Sequence, residues 1–166
     1  MAEHDPITIL LAQNQWATHA LLDACADLSD DDFHRVFPIG MGSLHDTVNH
    51  ILGAMQGWGD LLAGRDQRER LESQRRSVAE CRTLLDALNN DLAKSAQAHP
   101  NDEVVTGSRG DQTYAFTRGA VLTHVLTHGM HHRAQCLNML RQLDVKQLPP
   151  SAVVEWTFMA DAPATL

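Results

Sequence analysis

Four stretches of the chain repeat apolar residues every three or four positions, which is the spacing of one face of an α-helix. They cover about residues 6–28, 43–63, 73–97 and 118–143. Asp5-Pro6 and Ser43 are typical of helix starts, because Asp and Ser cap an N-terminus and Pro suits the first helical position. Amphipathic helices of this length bury their apolar faces against one another. The pattern therefore predicts an all-α protein, an up-down four-helix bundle.

The segment between the third and fourth stretches has a different character. Residues 104–106 and 113–117 are β-prone, and residues 107–111 are of the types that form turns. A small hairpin, or an ordered loop, is therefore expected before the last long helix. Beyond Pro149-Pro150, several apolar residues predict a short C-terminal element that covers the bundle as a helix or a strand. The length suits one domain over residues 1–166.

The last helical stretch carries four of the chain's ten histidines. On a helical wheel, His128 and His132 lie in the middle of the apolar stripe, and His124 and His131 lie on its flank. A buried imidazole needs a polar partner, because burying an unpaired polar group costs free energy. The pattern leaves two alternatives: hydrogen bonds within the core, or one metal ion held by two nitrogens a helical turn apart.

A metal site would need a further ligand besides His128 and His132. The histidines available for that role are His19, His45, His50 and His124. His50 is the best placed, because it lies in the middle of the second helix beside small residues, whereas His45 falls in the first turn. Three neutral imidazoles leave coordination positions open, which is typical of catalytic zinc sites rather than structural ones.

Side chains near the candidate ligands have two interpretations each. A ligand histidine usually donates its second N–H to an acceptor, and the candidates for supporting or lining the site are Asn14, Asp46, His124 and Gln135. Asn14 also suits a structural hydrogen-bond network, and Asp46 a helix cap. Cys136, one turn beyond His132, is either a soft metal ligand or a buried core residue. Arg133 points away from the ligand face, which predicts a buried ion pair.

Composition excludes several classes of function. The formal net charge is −8, so a broad nucleic-acid surface is not expected. The one basic cluster, residues 65–76, is interleaved with acidic residues and is interpreted as a solvated loop and helix start. Three widely spaced cysteines do not form a disulfide framework. The N-terminus lacks the features of a signal peptide or membrane span, so no membrane association is expected and the cytoplasm is the expected location.

The motifs resemble the DinB family of metal-binding four-helix bundles, which is also grouped with YfiT-like proteins. The resemblance rests on Asn14-x-Trp16-Ala17, on Ser43-Leu44 leading to His50-Ile51, and on His124-x3-His128-x3-His132-Arg133-Ala134-Gln135. The last motif is the most specific, and the three occur in order over nearly the whole chain. By this resemblance the metal ligands of the family map onto His50, His128 and His132.

The resemblance also implies a function. The family includes metal-dependent transferases that act with low-molecular-weight thiols, so a thiol-dependent S-transferase with a small-molecule substrate is the leading expectation. A metal-dependent hydrolase is the alternative enzyme, and a non-catalytic stress-response or metal-sensing module is the alternative outside catalysis. Zn²⁺ is the expected ion, and Ni²⁺, Mn²⁺ and Fe²⁺ also accept imidazole. The reacting group would be a thiolate or a water on the metal. A homodimer is expected.

Overall fold

Four long helices dominate the computed structural model, which describes residues 5–71 and 74–161. In chain order the elements are α1 (Pro6–Ala26), α2 (Asp30–Phe33), α3 (Leu44–Leu62), α4 (Val78–Ala98), β1 (Val104–Arg109), β2 (Gln112–Thr117), α5 (Arg118–Gln142) and α6 (Val153–Trp156), followed by a π-helical turn at Thr157–Asp161. Both α1 and α3 pack against α4 and α5. The mostly helical architecture expected from the periodic apolar pattern is thus confirmed.

The core takes leucines from all four long helices. Leu22, Leu52, Leu85 and Leu122 are each at most 1% exposed. Full burial of such a side chain contributes about 1.5–3 kcal/mol. Because every long helix contributes to the same core, α3 and α5 are held side by side along their length.

The start of α4 differs from the sequence prediction. The predicted start near residue 73 lies outside the described residues, and residues 74–77 are not helical. Ser77 and Glu80 form a capping box, in which each side chain accepts a hydrogen bond from the other residue's backbone N–H. This cap begins the helix at Val78. The end of α1 also lies earlier than predicted, at Ala26.

The predicted hairpin between the third and fourth long helices is confirmed. β1 and β2 are antiparallel, with Gly107 opposite Tyr114 and Val105 opposite Phe116. Gly107 leaves room for the Tyr114 ring, because a Cβ at this position would lie 2.7 Å from that ring as it is placed. The side chain of Thr117 caps α5 immediately after β2, so the hairpin is fixed to the start of the helix that carries the histidines.

The C-terminal element is helical and contacts α1. Trp156 of α6 is 8% exposed, and the Gln13 side-chain amide donates to the Ser151 carbonyl at 2.6 Å. The short covering element expected beyond the two prolines is therefore α6. None of the helices in the described part of the chain combines the length and the apolar character needed to cross a bilayer.

Candidate metal centre

The packing of α3 against α5 brings three histidines together. One ring nitrogen from each of His50, His128 and His132 lies within 4.8 Å of the other two. The ring centroids are 4.9 Å apart for His50 and His128, 4.6 Å for His50 and His132, and 4.3 Å for His128 and His132. Three converging imidazole nitrogens are a donor set that suits Zn²⁺ and similar divalent ions.

The closest nitrogens of the cluster face each other directly. Nε2 of His50 lies 3.1 Å from Nε2 of His128. Two neutral imidazoles in this arrangement need either a proton or a cation between their lone pairs, because two acceptors this close repel each other. The separation is compatible with a shared ion, since each nitrogen bound to Zn²⁺ lies about 2.0–2.1 Å from it.

Burial keeps His128 and His132 neutral. Burial and then the neighbouring His132 and His50 imidazoles lower the pKa of His128 to about 4. Burial also lowers the pKa of His132 below its usual value, and it outweighs the hydrogen bond to Gln135, which acts in the opposite direction. At neutral pH both rings are therefore in the unprotonated form that coordinates metal ions.

Gln135 orients one of the three rings. Nδ1–H of His132 donates to Oε1 of Gln135 at 2.7 Å, and the Gln135 amide in turn donates to Nε2 of His131 at 3.0 Å. Nε2 of His132 is left available to an ion. His128 has no such support, because its buried Nδ1 has no hydrogen-bond partner within the part of the chain that the structure describes.

The structure places the other candidate residues elsewhere. Asp46 accepts from Nδ1 of His45 at 2.8 Å, and the His19 ring pairs with Asp86 at 2.7 Å. His124 packs against Trp58, with ring centroids 5.2 Å apart. None of these three histidines joins the cluster of His50, His128 and His132. Cys136 is fully buried, and that burial raises the pKa of its thiol, so it is a core residue.

The prediction of an ion pair at Arg133 is wrong. Its side chain is 1% exposed, and among the described residues it has no acidic partner. The guanidinium donates instead to neutral oxygens, Oδ1 of Asn14 at 2.6 Å, Oγ1 of Thr18 at 3.1 Å and Oε1 of Gln13 at 3.4 Å. Burial lowers its pKa to about 10. Asn14 thus belongs to a buried network that joins α1 to α5.

The histidine cluster opens on a cleft with a volume of about 890 Å³. His50 and His128 form part of its wall. The rest of the wall includes aromatic residues of α3 and β2 and polar residues of the loop after α3: Trp58, Tyr114, Phe116, Gln67, Arg68 and Arg70. The sequence does not predict these lining residues, because a basic cluster interleaved with acidic residues is typical of a solvated loop. It also carries no signal for which helix the hairpin meets.

Asp60 holds the loop that lines the cleft. This carboxylate is fully buried and accepts from Nε of Arg65 at 2.6 Å, Nε of Arg68 at 2.9 Å and the Arg68 backbone N–H at 3.1 Å. Burial alone would raise the pKa of Asp60, but these hydrogen bonds outweigh it and hold the pKa below its usual value. Gln56 adds a bond to the Glu69 carbonyl at 2.7 Å.

Replacing this anchor is expected to loosen the loop. Asp60→Asn should lower the free energy of unfolding by about 2 kcal/mol at neutral pH, because charge-assisted hydrogen bonds are lost. The difference from the wild type should shrink as pH falls from about 3.9, the pKa of an unfolded Asp, through the lower pKa of folded Asp60. Urea denaturation at several pH values measures both effects.

A matched control is available on α4. Asp91 pairs with the same two arginines, at 2.6 Å from Arg65 and 3.6 Å from Arg68, but its side chain is 32% exposed. Asp91→Asn should therefore cost less than about 1 kcal/mol. Equal losses in the Asp60 and Asp91 variants would contradict the view that the buried carboxylate is the anchor.

Comparison with models of protein families gives a match to this chain. The model of the DinB family matches residues 2–154, which include all four long helices, the hairpin and the three clustered histidines. None of the curated proteins matches the chain.

Proposed function

The chain belongs to the DinB family, and on that basis we propose that it binds a divalent metal ion through His50, His128 and His132. The single observation that carries the proposal is the convergence of three ring nitrogens within 4.8 Å. We propose Zn²⁺ as the ion. The scaffold we infer is one domain in the form of an up-down four-helix bundle, which is supported by the packing of α1 and α3 each against α4 and α5.

We propose further that the site is catalytic. A structural zinc site is enclosed by four protein ligands, whereas three ligands leave positions for a reactant. His50 and His128 line a cleft of about 890 Å³, which is within the size range of small-molecule sites. The arrangement supports an enzyme that brings a small substrate to the open side of the histidine cluster.

The reaction we favour is S-transfer from a low-molecular-weight thiol. A divalent ion in this site would lower the pKa of a thiol and hold it as the thiolate nucleophile. The sulfur forms a bond to an electrophilic carbon of the second substrate, whose leaving group departs with the electron pair of the broken bond. The thiol proton goes to solvent. The protein contributes three imidazole donors, the orientation of His132 by Gln135 and the cleft wall that positions both molecules.

Metal binding has a direct test. After removal of metal with a chelator, adding Zn²⁺ at about 100 times its Kd should stabilise the protein by about 2.7 kcal/mol, because the ion binds the folded state. Differential scanning calorimetry measures the rise in Tm. Mg²⁺, which prefers oxygen ligands, should leave the Tm unchanged. A Zn²⁺ response no larger than that of Mg²⁺ would refute the metal site.

Thiol binding is tested separately with Co²⁺ in place of Zn²⁺. Adding millimolar cysteine or glutathione should change the visible absorption of the bound Co²⁺ and add a sulfur-to-metal charge-transfer band. Serine, which carries a hydroxyl in place of the thiol, should not do so. If no thiol changes the spectrum of a fully loaded site, the transferase proposal fails and either a hydrolase or a non-catalytic metal-binding module takes its place.

A further inference from the structure

The described lining of the cleft beside the histidines lacks the acidic residues that dominate the protein as a whole. The whole chain carries a formal net charge of −8. Even so, none of the described residues that line the cleft is acidic, and two of them, Arg68 and Arg70, are cationic. A cleft lined this way attracts anions, because its local potential is set by the nearby charges rather than by the net charge.

Among the described residues that line the cleft, Arg70 is the cation left to pair with a ligand. Arg68 is already neutralised, since its guanidinium lies 2.8 Å from Asp60 and 3.6 Å from Asp91. Arg70 is exposed and, among the described residues, makes neither an ion pair nor a side-chain hydrogen bond. A guanidinium in this position offers two parallel N–H groups to a carboxylate or a similar anion.

An aromatic wall faces the same cleft. The ring centroid of Trp58 lies 6.1 Å from that of Phe116 and 6.5 Å from that of Tyr114, and Tyr114 and Phe116 are 5.4 Å apart. Phe116 is 41% exposed. Clustered aromatic rings on an open wall bind flat apolar groups by stacking and edge-to-face contact. The hairpin, fixed to the start of α5, supplies two of the three rings.

We propose that the cleft binds a small molecule that combines a flat aromatic group with an anionic group. The aromatic group lies against Trp58, Tyr114 and Phe116, and the anion pairs with Arg70. The proposal rests on the proposed function in one respect: it identifies this molecule as a substrate whose reacting atom lies beside His50 and His128. The aromatic and anion subsites themselves require no metal, so they can be tested on metal-free protein.

The test compares two probes of nearly the same shape, one of which is an anion and the other neutral. On chelator-treated protein, 2-naphthoate and its neutral amide, 2-naphthamide, are titrated while the indole N–H resonances of the three tryptophans are followed by NMR. The Trp58 resonance is assigned from its loss in Trp58→Phe. The naphthoate should bind about tenfold more tightly than the amide, as expected for one charge-assisted contact, and both should shift the Trp58 resonance.

Variants of Arg70 show whether this side chain binds the anionic group of the probe. Arg70→Gln should remove the preference for naphthoate over naphthamide, and Arg70→Lys should keep most of it. Arg141→Gln is the matched control, because Arg141 is an exposed arginine at the end of α5 that does not line the cleft. It should leave both affinities unchanged.

Several outcomes would overturn the inference. The inference fails if the two probes bind with equal affinity, or if Arg70→Gln keeps the preference for naphthoate. It also fails if ligand binding leaves the Trp58 resonance unshifted. Uptake of Co²⁺ is measured on the same preparations. Normal Co²⁺ uptake without anion preference refutes only the subsites, whereas loss of Co²⁺ uptake with intact naphthoate binding refutes only the metal site.

Discussion

His50→Ala is expected to lower the affinity for Zn²⁺ or Co²⁺ by more than about 100-fold, since even the loss of a group that only supports a ligand costs 10–100-fold. His50 is the one clustered histidine on α3, so its removal leaves the i, i+4 pair on α5 without a partner across the helix interface. Competition with a chromogenic chelator measures the affinity.

The control for this variant is another histidine of α5, the helix that carries His128 and His132. His124 is one turn before His128, and it packs against Trp58 outside the cluster. His124→Ala should therefore keep the metal affinity of the wild type. A His50→Ala protein that binds metal as tightly as His124→Ala would show that α5 alone, or another histidine, completes the site.

The second large effect is expected from the buried Arg133 network. Asn14→Leu removes the acceptor that lies 2.6 Å from the guanidinium and leaves a charge that is 1% exposed with weaker partners. The free energy of unfolding should fall by about 3 kcal/mol, because an under-paired buried charge is strongly destabilising. Urea denaturation of metal-free protein isolates this effect from metal binding.

A double-mutant cycle identifies the cause of that loss. Arg133→Met removes the buried charge itself, so the double variant Asn14→Leu, Arg133→Met should be more stable than Asn14→Leu alone. If the two losses simply add, the guanidinium and the Asn14 carbonyl are not coupled, and the destabilisation of Asn14→Leu comes from packing.

The histidine cluster could be predicted from the sequence, whereas the surroundings of Arg133 could not. The i, i+4 spacing fixes His128 and His132 on one face of α5 wherever that helix packs. The partners of Arg133 depend on how α1 approaches α5, and local spacing carries no information about that approach. The position of Arg133 away from the ligand face indicates a buried polar partner, but it does not show whether that partner is acidic or neutral.

The cleft could not be predicted for a similar reason. The β-prone residues and the turn between them predict the hairpin. Its contact with Trp58 depends on how the hairpin packs on α3, which local sequence does not specify. By contrast, the start of α4 did have a local signal. Ser77 and Glu80 have the spacing of a capping box, which places the helix start at Val78. The periodic apolar pattern alone predicts a start a few residues earlier.

Gly129 of α5 lies directly against the buried Asn14 and Arg133 side chains. A Cβ there would lie 2.7 Å from Oδ1 of Asn14 and 3.1 Å from Nη1 of Arg133. Alanine is the stronger helix former by about 1 kcal/mol, yet its methyl group would fit only if the Asn14 and Arg133 side chains shifted and weakened their hydrogen bond. The close approach of α1 to α5 thus depends on a residue without a side chain at this point of the helix.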